Sequence, residues 1–339
     1  LASYKGQKYE KAVVTKIIKD NLAEDGSRYG TQKVLVKMTT GTYKGKEKQA
    51  INPSGTLFGA DCKVGARIIV IVNKSGTNTG FTVYSQDRTM AIYGFALIFA
   101  AVVCAIGGKK GVYAILSLVF AFACIIGIMF PMMYRGISPI MLTIIVAVLT
   151  TIVTLGLLGG YSSKTVSAIL GTAIGVVIAA VAAMAFGKAA GITGYNVSDI
   201  EALNYVGQNT KIKIGELLFA GIIISALGAV MDVGMSIAST IQEIYETDKT
   251  LSMKRLFVSG INVGRDMMGT MTNTLIFAYV GGAMTTLVIN YAYDLSYRQL
   301  ANSYVIGIEI MQGLSGSLGV VLTVPITALI ASFLAVRKK

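Results

Sequence analysis

What most constrains this chain is the change in character at Met90. From there the apolar residues fall into seven runs, at about 90–107, 111–131, 137–158, 165–187, 214–239, 267–290 and 304–335. A helix needs roughly 20 consecutive apolar residues to cross a bilayer, and most of these runs approach or exceed that length. Composition agrees: 54% of the 339 residues are hydrophobic and 14% are charged, against about a quarter charged in a soluble domain. The predicted fold class is an α-helical polytopic membrane protein with seven spans over residues 89–339, preceded by a small polar domain over residues 1–88. The first run is the shortest and the last two are long, so tilt, kinks or interfacial ends are expected.

The polar domain has strand character. Val13-Val14 and Ile17-Ile18 flank Lys16, Lys33-Val34-Leu35-Val36-Lys37-Met38 alternates, Arg67 to Val72 holds a continuous apolar run, and Phe81 to Tyr84 is a further short candidate. Turn-forming clusters separate them: Glu24 to Ser27, Asn52 to Gly55 and Asn73 to Gly76. About five short strands in some 80 residues fit an OB-like barrel or a sandwich. A phosphate-binding GxxxxGK[ST] loop is absent, because Gly41 to Lys46 lacks both the spacing and the hydroxyl. The net charge of +13 divides into +8 before residue 89 and +5 after it. It is scattered with little aromatic interleaving, so no nucleic-acid partner is expected.

Positive charge in the connections sets the expected orientation. Lys109, Lys110, Lys164, Lys249, Lys254, Arg255, Arg265, Arg337, Lys338 and Lys339 would share one side, and Arg135, Lys188, Lys211, Lys213 and Arg298 the other. The richer side is read as cytoplasmic. This places the protein in a bacterial plasma membrane with the β domain outside and the C-terminus inside. A β domain exported ahead of the first span calls for a signal or helix before Leu1. In the outer connection 188–213, Ile200, Leu203 and Val206 with Asp199 and Glu201 suggest an amphipathic helix.

Histidine is absent, which excludes a Ser-His-Asp triad, a Cys-His pair and any His-ligated metal. Three cysteines, Cys62, Cys104 and Cys124, imply no disulfide framework. Polar chemistry inside the bilayer is thereby left to carboxylates, amides, hydroxyls and backbone carbonyls. These are hard oxygen donors, suited to Mg²⁺, Ca²⁺, Mn²⁺, Na⁺ or a proton rather than to Cu(I) or Zn²⁺. No tightly held cofactor is expected beyond such a cation.

Acidic residues within apolar spans are the most informative, since an ionised carboxylate there needs a partner or a wet cavity. Asp232 has apolar sequence on both sides. Ser225, Gly228, Met235, Ser236 and Ser239 recur around it at helical spacing. Asp266 opens the next predicted span, where Thr270, Asn273 and Phe277 share its face; it reads equally as a first-turn acid. Glu309 stands one turn from Gln312, followed by Gly313, Gly316 and Gly319 and then Pro325. Such a stretch suits a broken helix lining a transport site, or a tightly packed crossing. Glu216 reads as an interfacial acid. Small pairs Gly156/Gly160 and Gly171/Gly175 read as packing.

The runs Gly228 to Ala238, Gly264 to Leu275 and Gly316 to Thr327 resemble the signature segments of the YibE/F family of bacterial, largely Gram-positive, multi-span membrane proteins. The resemblance spans about 90–335. It implies a multi-helix membrane body, with an extracellular segment in some members, and names no substrate.

Together these readings predict a secondary transporter moving a hard cation or a proton-coupled small solute. Asp232, Asp266, Thr270, Asn273, Glu309 and Gln312 are its candidate site, with Asp232, Asp266 and Glu309 as metal ligands. Charge topology sets Asp232 and Asp266 toward the cytoplasmic ends and Glu309 in the outer half, so one site or two points on one pathway both remain open. The alternative is a non-transporting sensor or assembly subunit. Its segment 240–266, with Leu251, Met253, Leu256, Phe257 and Ile261 among basic residues, would form a short surface helix that docks a cytoplasmic partner. An enzyme is not expected.

Overall fold

The structure, a computed structural model, describes residues 7–22, 30–53, 60–75, 78–197 and 199–337. Leu1, the Glu24 to Ser27 cluster, Ser54, Gly55, Gly76 and the terminal Lys338-Lys339 lie outside the described residues. The chain divides into two units, Leu1–Val102 and Val103–Lys339.

The first unit carries five strands: β1 (Gln7–Lys19), β2 (Gln32–Met38), β3 (Glu47–Asn52), β4 (Arg67–Ser75) and β5 (Asn78–Gln86). They close into a barrel in the order β1-β2-β3-β5-β4, so the barrel and not the sandwich is formed. All neighbours are antiparallel except β3 and β5. Alternation does the sorting: in β2, Val34, Val36 and Met38 point inward and Lys33 and Lys37 outward. Val34 and Val36 meet Val14, Ala50, Ile68, Val70 and Val83 in a sealed core. The buried Gln32 is satisfied, donating to the Cys62 carbonyl at 3.2 Å and accepting from Asn52 Nδ2 at 2.9 Å. Strand β3 carries no apolar run in the sequence, because only Ala50 and Asn52 turn inward.

Asp87 sits between β5 and the first helix. It accepts the Thr89 N–H at 3.0 Å and faces Lys11 Nζ at 3.1 Å. The Thr89 hydroxyl and N–H, then the Lys11 ammonium, hold its carboxyl down at about 2.

The helices are α1 (Thr89–Cys124), α2 (Phe130–Tyr134), α3 (Pro139–Gly159), α4 (Ser163–Ala190), α5 (Ile200–Asn209), α6 (Leu217–Thr247), α7 (Met253–Gly282), α8 (Met284–Ala292), α9 (Tyr297–Ala301) and α10 (Tyr304–Val336). Within α1, Gly108 leaves helical geometry at φ 53° and ψ −131°. A Cβ on Gly111 would strike the Val103 carbonyl oxygen. Eight residues of straight helix would hold those groups about 12 Å apart, so the chain turns back at Gly108. Only glycine accepts that backbone without strain. Among the described residues, five helical stretches suffice by length and composition to cross a membrane, and the pair α7–α8, bent by 60°, adds a sixth if it is one span. The chain is therefore a membrane protein. Its α5 matches the amphipathic helix expected in the 188–213 connection.

Three expectations are corrected. Residues 240–266 do not form a loop with a short surface helix: α6 runs to Thr247, and α7 begins at Met253 with Leu256 fully buried. Asp266 therefore does not open a span but lies 13 residues into α7. Residues Gly313, Gly316 and Gly319 do not break α10, which is continuous for 33 residues with Pro325 inside it.

The glycines of α10 and its neighbours are contact points. A Cβ on Gly319 would lie 2.9 Å from Ala179 Cβ in α4, and one on Gly175 would strike Thr323 of α10. One on Gly264 would strike Val324, and one on Gly260 would come 2.6 Å from Ile241 Cδ1. Helix α10 is thus held by α4, α6 and α7 at separations that exclude side chains at these positions. The same contacts fix direction. Helices α3, α6 and α10 run one way and α4 and α7 the other, with Ser138 at the start of α3 donating to Glu216 at the start of α6.

Two outcomes follow. Gly175→Val, which overpacks the α4–α10 crossing, lowers the thermal midpoint of the purified protein by the equivalent of about 1–3 kcal/mol, whereas Gly228→Ala, with no atom within 4 Å of its Cβ, leaves it unchanged. Asp87 titrates by NMR with a midpoint near 2. Because its folded pKa lies below the unfolded value, its contribution is present above about pH 4 and is lost as pH falls toward 2.

Candidate functional site

The predicted site residues fall on three packed helices, and helical geometry sets their heights. Gly260 meets Ile241 and Gly264 meets Ile237, so α6 and α7 are antiparallel and residue 232 stands opposite about residue 269. The Tyr279 hydroxyl donates to Ser225 Oγ at 2.8 Å, which sets residue 232 opposite 272. Asp232 is thereby level with Thr270 and Asn273, and Asp266 lies about one turn away along the axis. Gly159, the last residue of α3, meets the Met235 side chain. This whole group therefore stands close to the α3–α4 connection.

Asp232, Asp266, Thr270 and Asn273 are exposed on the surface of the chain. Asp232 follows Ser225 by seven residues and so shares its side of α6. Gly221 and Gly228 on that side have open space where a Cβ would stand. Two hydroxyls of α7 are satisfied within the helix: Thr270 donates to the Met267 carbonyl at 3.0 Å and Thr274 to that of Thr270 at 2.9 Å, whereas the Thr272 hydroxyl is buried without a partner among the described residues. Among the described residues, the side chains of Asp232, Asp266, Asn273, Glu309 and Gln312 have no hydrogen-bond or ion-pair partner.

Glu309 belongs to another level. Gly316 packs on Ala226, and a Cβ on Gly319 would lie 3.5 Å from Val230 Cγ2, so α10 and α6 are parallel and residue 309 stands beside residue 219 or 220. That is 12 or 13 residues from Asp232, roughly 20 Å along the axis. Glu309 lines a cavity of about 300 Å³ between the α7–α8 bend and α10, together with Tyr279, Ala283 and Gly313. Gln312 does not line it. Among the described residues no three His, Cys, Asp or Glu side chains are grouped to hold a metal ion. Asp232, Asp266 and Glu309 therefore do not share one three-ligand centre here.

The profile of the family described as YibE/F-like protein matches residues 95–337. The chain belongs to the YibE/F family. The match contains every candidate residue and leaves the barrel outside it. No curated protein and no solved structure gives a significant match.

Two features of this YibE/F body escape a reading of residue types along single helices. Tyr279 and Ser225, from different spans, tie α7 to α6 beside Gly316. A set of hydroxyls (Thr172, Ser317, Thr327 and Ser332) is buried without hydrogen-bond partners. Of these, Ser317 and Thr327 fall in the Gly316 to Thr327 run, whose hydroxyls carry no burial signal of their own in the sequence. Glu216 is placed as the sequence suggests, at a helix start, accepting from Ser138 with Lys213 Nζ 3.9 Å away.

Removing the Tyr279 hydroxyl by Tyr279→Phe costs about 1 kcal/mol of stability. Ser225→Ala added to it costs nothing further, a result read from a double-mutant thermal cycle.

Proposed function

We propose that this YibE/F protein is a secondary transporter in the bacterial plasma membrane, moving a hard cation or a proton-coupled small solute. Two polar stations serve one pathway: Glu309 in the outer half, and Asp232 with Asp266, Thr270 and Asn273 toward the cytoplasmic ends. The single observation that carries the reading is Asp232. It is a carboxylate 15 residues from either end of α6, with no partner among the described residues and open glycine positions beside it. Keeping such a group inside a bilayer is costly, so it is expected to serve an ion, a proton or a water-filled path.

In this proposal the chain crosses the membrane seven times. The reversal at Gly108 divides the 46-residue stretch Thr89–Tyr134 into two spans, and α7–α8 supplies one bent span. Alternating directions then set the barrel, the α5 connection and the α8–α9 connection on one side. Among the connections of the membrane body, the side opposite carries ten basic residues against five, which supports a cytoplasmic C-terminus. The cations considered are Mg²⁺, Ca²⁺, Mn²⁺ and Na⁺, in keeping with an all-oxygen donor set. Docking of a cytoplasmic partner on 240–266 is less well supported, because the apolar Leu256, Gly260 and Gly264 face the core; what stays exposed there is the turn from Asp248 to Thr250 and mainly polar positions of the flanking helices, such as Lys254, Arg255 and Arg265.

Ion or proton flux into proteoliposomes tests the proposal. Asp232→Asn, Asp266→Asn and Glu309→Gln, which keep shape and remove charge, should each reduce flux about tenfold or more. Undiminished flux in all three variants would sink the transport reading.

A further inference from the structure

The cavity beside Glu309 has a chemistry of its own. Besides Glu309 and Tyr279, its lining is apolar: Ile276, Val280, Ala283, Leu287, Ile306 and Ile310, with Gly313 and Leu314. The Tyr279 hydroxyl is already committed to Ser225, so the Tyr279 ring contributes a face and not a donor. One carboxylate therefore remains as the only uncommitted polar group of the wall. The floor is deep, since Ala283 and Gly313 are buried. The rim is open, with Val280 40%, Ile310 46% and Leu314 52% exposed on the outside of the helix bundle. In the topology proposed above, the crevice opens sideways from the protein into the bilayer. At about 300 Å³ it falls at the small end of the range for small-molecule sites.

We propose that this crevice binds a cationic amphiphile, an apolar body carrying one ammonium-type head, taken laterally from the outer half of the bilayer. The apolar wall receives the body and the Glu309 carboxylate receives the head. Charge complementarity selects the class. A neutral apolar occupant would leave an unpaired carboxylate in a dry wall, and an inorganic cation would leave the apolar wall unfilled. Gly313 sets the depth, because a Cβ there would sit 3.7 Å from the Tyr279 ring and any longer side chain would enter the space. The proposal deepens the transport reading by naming a substrate class for the outer station. It is tested by binding, so its failure is distinguishable from a failure of flux.

The experiment uses the full chain in nanodiscs of phosphatidylglycerol and phosphatidylcholine. The probe is a fluorescent n-alkylammonium, compared with its N-acetylated neutral analogue. Saturable binding is expected, with the cation preferred about tenfold or more, as a charge-assisted hydrogen bond implies. Glu309→Gln should abolish the preference while keeping residual binding. Gly313→Leu should weaken both probes, and Val280→Phe, which narrows the rim from the lipid side without touching the helix contact, provides the same readout if Gly313→Leu does not fold. Phosphatidylethanolamine added to the nanodiscs separates two sources of the head: competition identifies a lipid amine, and its absence a free lipophilic amine. Equal affinity for both probes, an undiminished preference in Glu309→Gln, or unchanged binding in a folded Gly313→Leu or Val280→Phe variant would overturn the proposal.

Discussion

The membrane body depends on the close approach of three helices to α10. Gly175 of α4 against Thr323, Gly319 against Ala179 of α4, and Gly264 of α7 against Val324 leave no room for a Cβ on the glycine, and a Cβ on Gly316 would come 3.3 Å from Ala226 Cβ of α6. Inside a bilayer apolar burial gives little net drive between helices, so contact at short range and backbone proximity carry association. This crossing fixes the register of α4, α6 and α7 on α10, and that register decides where every polar side chain stands. The acids owe their separation to it. With α6 and α10 parallel and matched at Ala226 and Gly316, Glu309 cannot descend to the level of Asp232.

A second consequence concerns the N-terminal end of α10. Glycine at 313 and 316 lets Tyr279 lie close against the helix and reach Ser225 of α6. Below that point the α10 interface closes on Ala226 and Val230. Above it, the bend between α7 and α8 leaves the crevice at Glu309 open. Packing and opening are thus produced by the same glycine-rich stretch, one turn apart.

Much of this was legible in the sequence, for identifiable reasons. Lys33 to Met38 alternates with period two and became β2; Met90 marks the switch to long apolar runs and became the first turn of α1. The runs 137–158, 165–187 and 304–335 are bounded by polar or glycine residues and became α3, α4 and α10 nearly unchanged. The segment 240–266 was misread because its basic residues sit on the exposed side of two long helices, while Leu256, Gly260 and Gly264 on the other side pack inward. Composition averages the two sides and gives a loop. The glycines after Gln312 look like a helix break for the same reason: intrinsic propensity disfavours them, and the partners that make them favourable lie far away in sequence, on α4, α6 and α7. The candidate residues were legible one by one, but their heights were not, since register between helices is a property of contacts.

The central claim is that one chain holds two polar stations facing opposite sides of the membrane. The most direct test labels single cysteines in intact cells with a membrane-impermeant maleimide, after replacing Cys62, Cys104 and Cys124. The account predicts that Glu309→Cys is labelled from outside only and Asp266→Cys from the cytoplasmic side only. Labelling of both from the same side would contradict it.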